Sequence, residues 1–296
     1  MRGLLVVGDV VTDVVARHGA PLAAATDTAA RIRTLPGGAG ANVACWAARA
    51  GCADVRLLGR VGTDAADWHE RALVSAGVRP LLVRDAEAAT ATVIALVDAS
   101  AERTFLTDSG AALRLSPDDW SPAFLDGAAH LHLSGYLFFS EPSRAAVRRA
   151  LRDAREAGVT VSVDPASAGF LAELGTDRFL REAAGVDMLF PNADEARLLT
   201  GCPGPAEAAV ALSRAFPLVA VTSGAQGALV AESGAVTARV AAPAARPVDS
   251  TGAGDAFTGA FLAARLSGAD AAKAAEAGCR AGARAVVSVG GRPAGP

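Results

Sequence analysis

Short apolar runs alternate with segments of helical period along most of the chain. Continuous apolar character at residues 3–8 (GLLVVG), 55–58 (VRLL), 129–133 (AHLHL), 159–163 (VTVSV), 186–190 (VDMLF) and 218–222 (LVAVT) predicts strands. Apolar positions three and four apart predict helices over 40–50, 64–76, 141–157, 192–200, 205–215, 254–267 and 270–286. Strands without polar alternation, interleaved with helices, belong to a mainly parallel α/β sheet covered on both faces. Two stretches break the rhythm. Residues 11–18 and 30–34 are short, and 91–107 reads as two β-branched strands around a polar turn at 99–102. These predict a small β-sheet lid, formed by roughly 11–34 and 90–107, inserted in one domain that spans 1–296.

Composition narrows the function classes. The net charge of −3 gives no electrostatic grip on nucleic acid or an anionic membrane. No run reaches the ~18 apolar residues of a membrane span, and the N-terminus enters a strand directly, so a cytoplasmic protein is expected. Cys45, Cys52, Cys202 and Cys279 form no C-x-x-C pair, which fits reduced thiols better than a disulfide framework. Lys273 is the only lysine among 28 basic residues, and no G-x-x-x-x-G-K precedes it. A lysine-bearing phosphate loop and lysine Schiff-base chemistry are therefore excluded.

The chemistry concentrates in five segments. In DSTGAGDAF (249–257), Gly252, Ala253 and Gly254 lead into a helix and Asp255 follows them. A helix N-terminus attracts anions, yet an acid sits at the same place. A glycine turn with a first-turn acid is one reading. The other is a transfer reaction, in which amides stabilise the charge of a migrating phosphoryl group and Asp255 accepts the proton of the attacking hydroxyl. The second segment, PGGAGANVACWAARAG (36–51), places Gly38 and Asn42 at a helix entry. It is either a plain entry loop or a bare backbone facing a polyhydroxylated ligand. Asp9 and Asp13 end an apolar strand, where ligands meet open α/β sheets, although aspartate is also an ordinary turn residue. Asn192 and Glu195 have the spacing of a capping box, and the same pair suits hydrated Mg²⁺. Thr222, Gly224 and Gly227 either pass under a nucleotide or form a hairpin. His130 and His132 share one face of a core strand and read as structural, as do the three tryptophans.

In this order, the segments resemble the ribokinase-like (PfkB) family of carbohydrate kinases. GGAGANVA (37–44) is similar to the family's N-terminal signature, and DSTGAGDAFTGAFL (249–262) to its highly specific C-terminal one. The resemblance implies a three-layer α/β/α sandwich with a β lid. It also implies Mg²⁺-dependent transfer of the ATP γ-phosphoryl group to an alcohol, usually the primary hydroxyl of a sugar or nucleoside. By the same resemblance Asp255 is the catalytic base, and the amides of Gly252, Ala253 and Gly254 form the anion hole. Asp13, Gly38 and Asn42 hold the acceptor, while Arg103 on the lid is a candidate for a phosphorylated one. Asn192 and Glu195 organise metal and phosphates, and Thr222, Gly224 and Gly227 border the nucleotide. Asp249 and Thr251 match part of a monovalent-cation (K⁺) site, completed by the loop near 288–291. A homodimer through the lid is implied as well. The chain departs from ribose-specific members at Val11 and Ala39, where they carry Asn and Lys, and has Ala112 where many sugar kinases show Asn.

Overall fold

The computed structural model describes residues 3–99 and 103–294. Thirteen strands and nine α-helices are found among these residues. The strands are β1 (Gly3–Val7), β2 (Val11–His18), β3 (Ala30–Gly37), β4 (Val55–Gly62), β5 (Arg79–Asp85), β6 (Ala91–Val97), β7 (Arg103–Asp108), β8 (Ala128–Ser134), β9 (Thr160–Asp164), β10 (Met188–Leu189), β11 (Leu218–Thr222), β12 (Ala228–Glu232) and β13 (Ala235–Val240). The helices are α1 (Ala39–Arg49), α2 (Ala66–Ser75), α3 (Glu141–Glu156), α4 (Ala168–Leu174), α5 (Thr176–Glu182), α6 (Ala193–Thr200), α7 (Pro205–Leu212), α8 (Ala253–Leu266) and α9 (Ala271–Ala285).

Nine strands make one sheet in the order β13-β12-β11-β10-β9-β8-β1-β4-β5. The sheet is parallel from β5 to β11, and β12 and β13 close it antiparallel. Period-two alternation along β1 sorts its side chains between two cores. Leu5 and Val7 join the core beneath α3 to α7, whereas Leu4 and Val6 join the one beneath α1, α2, α8 and α9. The result is a three-layer α/β/α sandwich. Both cores are dominated by aliphatic and aromatic groups, with Phe138 and Phe179 on one side and Phe261 on the other fully buried. No helix among the described residues is long and apolar enough to cross a membrane.

A second sheet, in the order β3-β2-β6-β7, stands beside the first. It consists of two antiparallel hairpins, β2–β3 and β6–β7, joined by parallel pairing of β2 with β6. The expected turn at 99–102 falls mostly on residues outside those described.

Strand order reverses at β1, which pairs with β8 on one side and β4 on the other. In open α/β sheets the crevice at such a switch point is where ligands meet the carboxyl ends of the strands. Here Asp9, Tyr136, Asp164 and Asn192 lie just beyond, or at, the ends of β1, β8, β9 and β10, and Thr222 closes β11.

Candidate active site

A cavity of about 470 Å³ opens at this crevice, between the carboxyl ends of the strands and the lid. Its walls bring together Asp13, Gly38, Asn42, Asn192, Glu195, Thr222, Asp249, Thr251, Gly252, Ala253, Gly254 and Asp255, which lie far apart in the chain. Gly224 and Gly227 are not among the lining residues. They form the turn between β11 and β12, with the Ser223 amide donating to the Gly227 carbonyl at 2.8 Å. Arg103 opens β7, opposite Val97.

The DSTGAGDAF segment enters α8 through Gly252, whose φ of 74° lies in the left-handed region. That turn leaves the first amides of α8 aimed outward. The Ala253 amide makes only a long 3.3 Å bond back to Ser250, and no acceptor among the described residues takes the amides of Gly252 or Gly254. The peptide cradle expected from the sequence is therefore largely unspent.

Asp255 sits on the first turn of the same helix. Its Oδ2 accepts a 2.7 Å bond from Asn42 Nδ2 on α1, joining residues 213 apart in sequence. The two helices touch closely enough for this because Gly259, one turn further along α8, has no side chain. A Cβ there would stand 2.8 Å from the Ala47 amide. Asn42 thus orients Asp255, while its own Oδ1 is buried without a hydrogen-bond partner among the described residues.

Burial raises the Asp255 pKa well above the ordinary carboxylate value. The Asn42 bond opposes this, and Asp164, Asp9 and Asp13 add to it. The same crowding acts on the neighbours. Burial, with help from Asp9, lifts Asp13 to about 7. Burial and the nearby Asp164 push Glu195 up to about 8, and burial raises Asp164 itself to about 6. Four acids that resist ionisation around one cavity are the electrostatic counterpart of a site built for cations.

Asp9 plays a different part from the other acids. Its carboxylate accepts from the amides of Ala39 (2.7 Å) and Gly40 (3.1 Å) and from the Ser134 hydroxyl (2.7 Å). It caps the GGAG loop and fixes the start of α1. Asn192 and Glu195 form the reciprocal capping box of α6, with Asn192 Oδ1 accepting two amides and Glu195 Oε2 accepting the Asn192 amide at 2.9 Å. The capping and cavity-lining readings of this pair hold together. Asp249 ties two loops: its carboxylate accepts from the Thr251 amide at 2.8 Å and the Gly290 amide at 3.0 Å. His130 and His132 are buried on Thr160 and Ser162 of β9, as expected of structural residues.

Two site residues carry no motif. Asp164 ends β9 in SVDPAS, and its place at a strand's carboxyl end is the signal that singled out Asp9 and Asp13. Phe170, on α4, falls in a segment without a predicted helix. Tyr136 packs edge-on against it at 5.6 Å, and Phe139 stacks on it at 5.0 Å.

A carboxylate one residue from unclaimed amides can take a proton from a hydroxyl while those amides receive developing negative charge. Comparison with known proteins agrees with that chemistry. A family profile described as pfkB family carbohydrate kinase matches residues 1–295. The chain belongs to this family. It is 33% identical over 270 residues to a fructokinase of Klebsiella pneumoniae, covering 87% of this chain and 82% of the relative. It is 35% identical over 249 residues to an ATP-dependent ribose-1-phosphate kinase of Halopiger xanaduensis, covering 82% and 78%. The aminoimidazole riboside kinase of Salmonella enterica, solved with aminoimidazole riboside and an ATP analogue, superposes with a TM-score of 0.81 at 27% identity, covering 98% of this chain and 95% of that one. This pfkB kinase is accordingly a phosphotransferase with an alcohol acceptor, using ATP and Mg²⁺.

The residues present suit the metal. Glu195 and Asp164 offer hard carboxylate oxygens without a third acidic, histidine or cysteine ligand among the described residues, the sparse donor set that leaves Mg²⁺ most of its waters.

Proposed function

We propose that the chain transfers the γ-phosphoryl group of ATP to the primary hydroxyl of a small sugar, with Asp255 as general base. The observation that carries this reading is the pairing of the Asp255 carboxylate with the unclaimed Gly252 and Gly254 amides on one cavity wall. Asp255 is held by Asn42, and burial raises its pKa, which makes its carboxylate a stronger base toward the acceptor hydroxyl. The amides of Gly252, Ala253 and Gly254, reinforced by the α8 dipole, hold the transferring group as its charge spreads over three oxygens. Asp13 accepts hydrogen bonds from acceptor hydroxyls beside Gly38. Asn192 and Glu195 orient phosphate oxygens and metal waters, Thr222 and the Gly224–Gly227 turn border the nucleotide, and Arg103 is the candidate partner of a phosphorylated acceptor. Bound Mg²⁺ supplies charge neutralisation at the phosphates. With no lysine nearby, positioning and backbone charge do the work of a phosphate loop.

The Asp255→Asn variant tests the assignment. Its amide keeps the shape and can still accept from Asn42, so nucleotide binding should persist while kcat falls by about 10²–10⁴. Near-normal turnover would remove Asp255 from the role. Among acceptors, the named relatives make D-fructose and pentoses the first to assay. A second reading, a nucleoside acceptor, is favoured by one observation: Phe105, Tyr136 and Phe170 line the acceptor half of the cavity, where a base would stack. Ratios of kcat/KM across sugars and nucleosides separate the two.

Two further parts belong to this proposal. Asp249 and Thr251 help to hold a monovalent cation beside the amide cradle, so replacing K⁺ with a bulky organic cation should slow turnover. The lid also exposes Ile32 (65%) and Leu106 (55%) on the face away from the cavity, an apolar area suited to a second copy of the chain. Light scattering should then give the mass of a dimer.

A further inference from the structure

Arg292 belongs to no motif and does not line the cavity. Its Nη2 donates to the Gly37 carbonyl at 3.1 Å, while Nε and Nη1 are buried without a hydrogen-bond partner among the described residues. A guanidinium with two unpaired nitrogens away from water is costly unless opposite charge lies close by. Gly37 supplies the link to such a charge. It is the last residue of β3, and a Cβ on it would run into the Asp13 carboxylate. Arg292 and Asp13 thus flank the same residue, one from behind the acceptor loop and one from the cavity side.

Arg292 lies in an acidic neighbourhood. Asp13 faces Asp9 from the β1–β2 loop, Asp249 from the loop before α8, and Asp255 from α8 itself. Asp9 and Asp249 disfavour its charge, Arg292 favours it, and Asp13 in turn raises Asp255. The charge of Arg292 also acts on Cys45 of α1 and His69 of α2. Neither balances it, because burial keeps the thiol protonated and the imidazole neutral at physiological pH. The residue is also anchored mechanically. The preceding Gly291 accepts a 2.9 Å bond from Trp46 Nε1, and Gly290 donates to Asp249.

We propose that Arg292 is a positioning residue for the acceptor: lodged behind Gly37, it is the counter-charge of the Asp13 carboxylate and pins the root of the hairpin on which Asp13 stands. Ionised Asp13 offers both oxygens as charged acceptors to the acceptor hydroxyls, whereas protonation turns one of them into a donor and removes the charge, so the charge state set by Arg292 governs acceptor affinity. The phosphoryl transfer step itself does not involve it. This inference rests on the assignment of Asp13 to the acceptor.

Two variants separate charge from shape. Arg292→Gln keeps a donor for the Gly37 carbonyl and removes the charge, whereas Arg292→Lys keeps the charge. Carbon-13 NMR of carboxyl-labelled aspartate, with Asp13→Asn to assign the signal, reads the Asp13 titration directly. R292Q should move its midpoint up by about one pH unit, and R292K should leave it near the wild-type value. With a wild-type midpoint of about 7, the ionised fraction at pH 7 falls from roughly one half to one tenth. KM for D-fructose should then rise about fivefold at pH 7, converge on wild type by about pH 9, and leave kcat within about twofold. An unchanged midpoint in R292Q overturns the proposal, as does a KM offset that is the same at every pH. The titration needs no acceptor, so it decides the role of Arg292 whichever sugar the kinase takes, while D255N separately decides the kinase mechanism.

Discussion

Two glycines two residues apart in the cradle should respond to alanine in opposite ways, and the contrast tests whether backbone geometry there is catalytic. Gly252 has φ 74°, and a Cβ on it would press on Gly291, with the Gly291 carbonyl oxygen at 2.7 Å. The left-handed backbone costs an alanine about 1–2 kcal/mol. Contact with the backbone of Gly291, which cannot rotate away, adds about 1–3 kcal/mol. Relief comes only by moving 252–254 away from the 290–291 loop, which displaces the very amides proposed to hold the transferring group. A misplaced donor of this kind costs about 10²–10³ in kcat. Gly254 carries no such constraint. Nothing lies within 4 Å of its added Cβ, its φ is ordinary, and alanine in a helix is better than glycine by up to about 1 kcal/mol. G254A should keep its amide in place, raise Tm slightly and stay within about threefold of wild-type kcat. Coupled ADP release gives kcat and KM for both variants, with thermal unfolding run in parallel. Wild-type kcat in G252A would refute the reasoning. So would an equal loss in G254A, which would show that the segment tolerates no change for reasons unrelated to strain.

Other consequences follow from the acids. Asp9→Ala removes three hydrogen bonds that hold the GGAG loop and the start of α1, and should lower stability by about 2–4 kcal/mol in urea unfolding. The raised acids also make stability depend on pH. Asp13 (about 7), Asp164 (about 6) and Glu195 (about 8) keep protons when folded that they lose near pH 4 when unfolded. Below about pH 6.5 the buried His69, His130 and His132, lowered to about 4, 3 and 3, oppose this effect because they take up protons only when unfolded. Above it the acids act alone, the folded state binds more protons, and stability falls as pH rises from about 6.5 to 8. Tm of the ligand-free protein should be higher at pH 6.5 than at pH 8, and saturating MgATP should flatten the difference by favouring the ionised acids. Activity should run the other way, with kcat/KM for the acceptor dropping below about pH 7 as Asp13 takes up a proton. An acid limb near pH 4 in the rate profile would contradict this.

The sheet was legible because its strands are buried on both faces. Continuous apolar runs announce such strands without needing alternation, and the predicted positions of β1, β4, β8, β9 and β11 agree with the structure to within a few residues. What escaped has physical reasons. β5 carries charge at Arg79, Arg84 and Asp85, as an edge strand with one side toward solvent does. β13, the other edge, alternates exposed and half-buried residues and resembles loop in composition. β3 precedes the GGAG loop without any apolar run, because most of its residues are solvent-exposed and its strand character comes from pairing with β2.

The site divides along a similar line. Its glycine-bearing segments were readable because small residues at helix entries have few structural excuses, and the cavity collects most of the candidates they supplied. Spacing along the chain says nothing, however, about which carboxylates will face each other. Asp9 and Asp13 both stand at the end of one apolar strand in VVGDVVTDVV, yet one spends its oxygens on the amides of α1 and the other faces the cavity with a pKa of about 7. The difference lies in the partners, which come from residues 39–40 for one and from 249, 255 and 292 for the other. Arg292 could not be singled out among so many arginines, since its role depends on three-dimensional proximity to Gly37 and not on its neighbours in sequence. Backbone cradles are written locally and can be read locally. The charge balance that makes a cradle work is written across the whole fold, so a structure was needed to see which acid requires a counter-ion and which residue provides it.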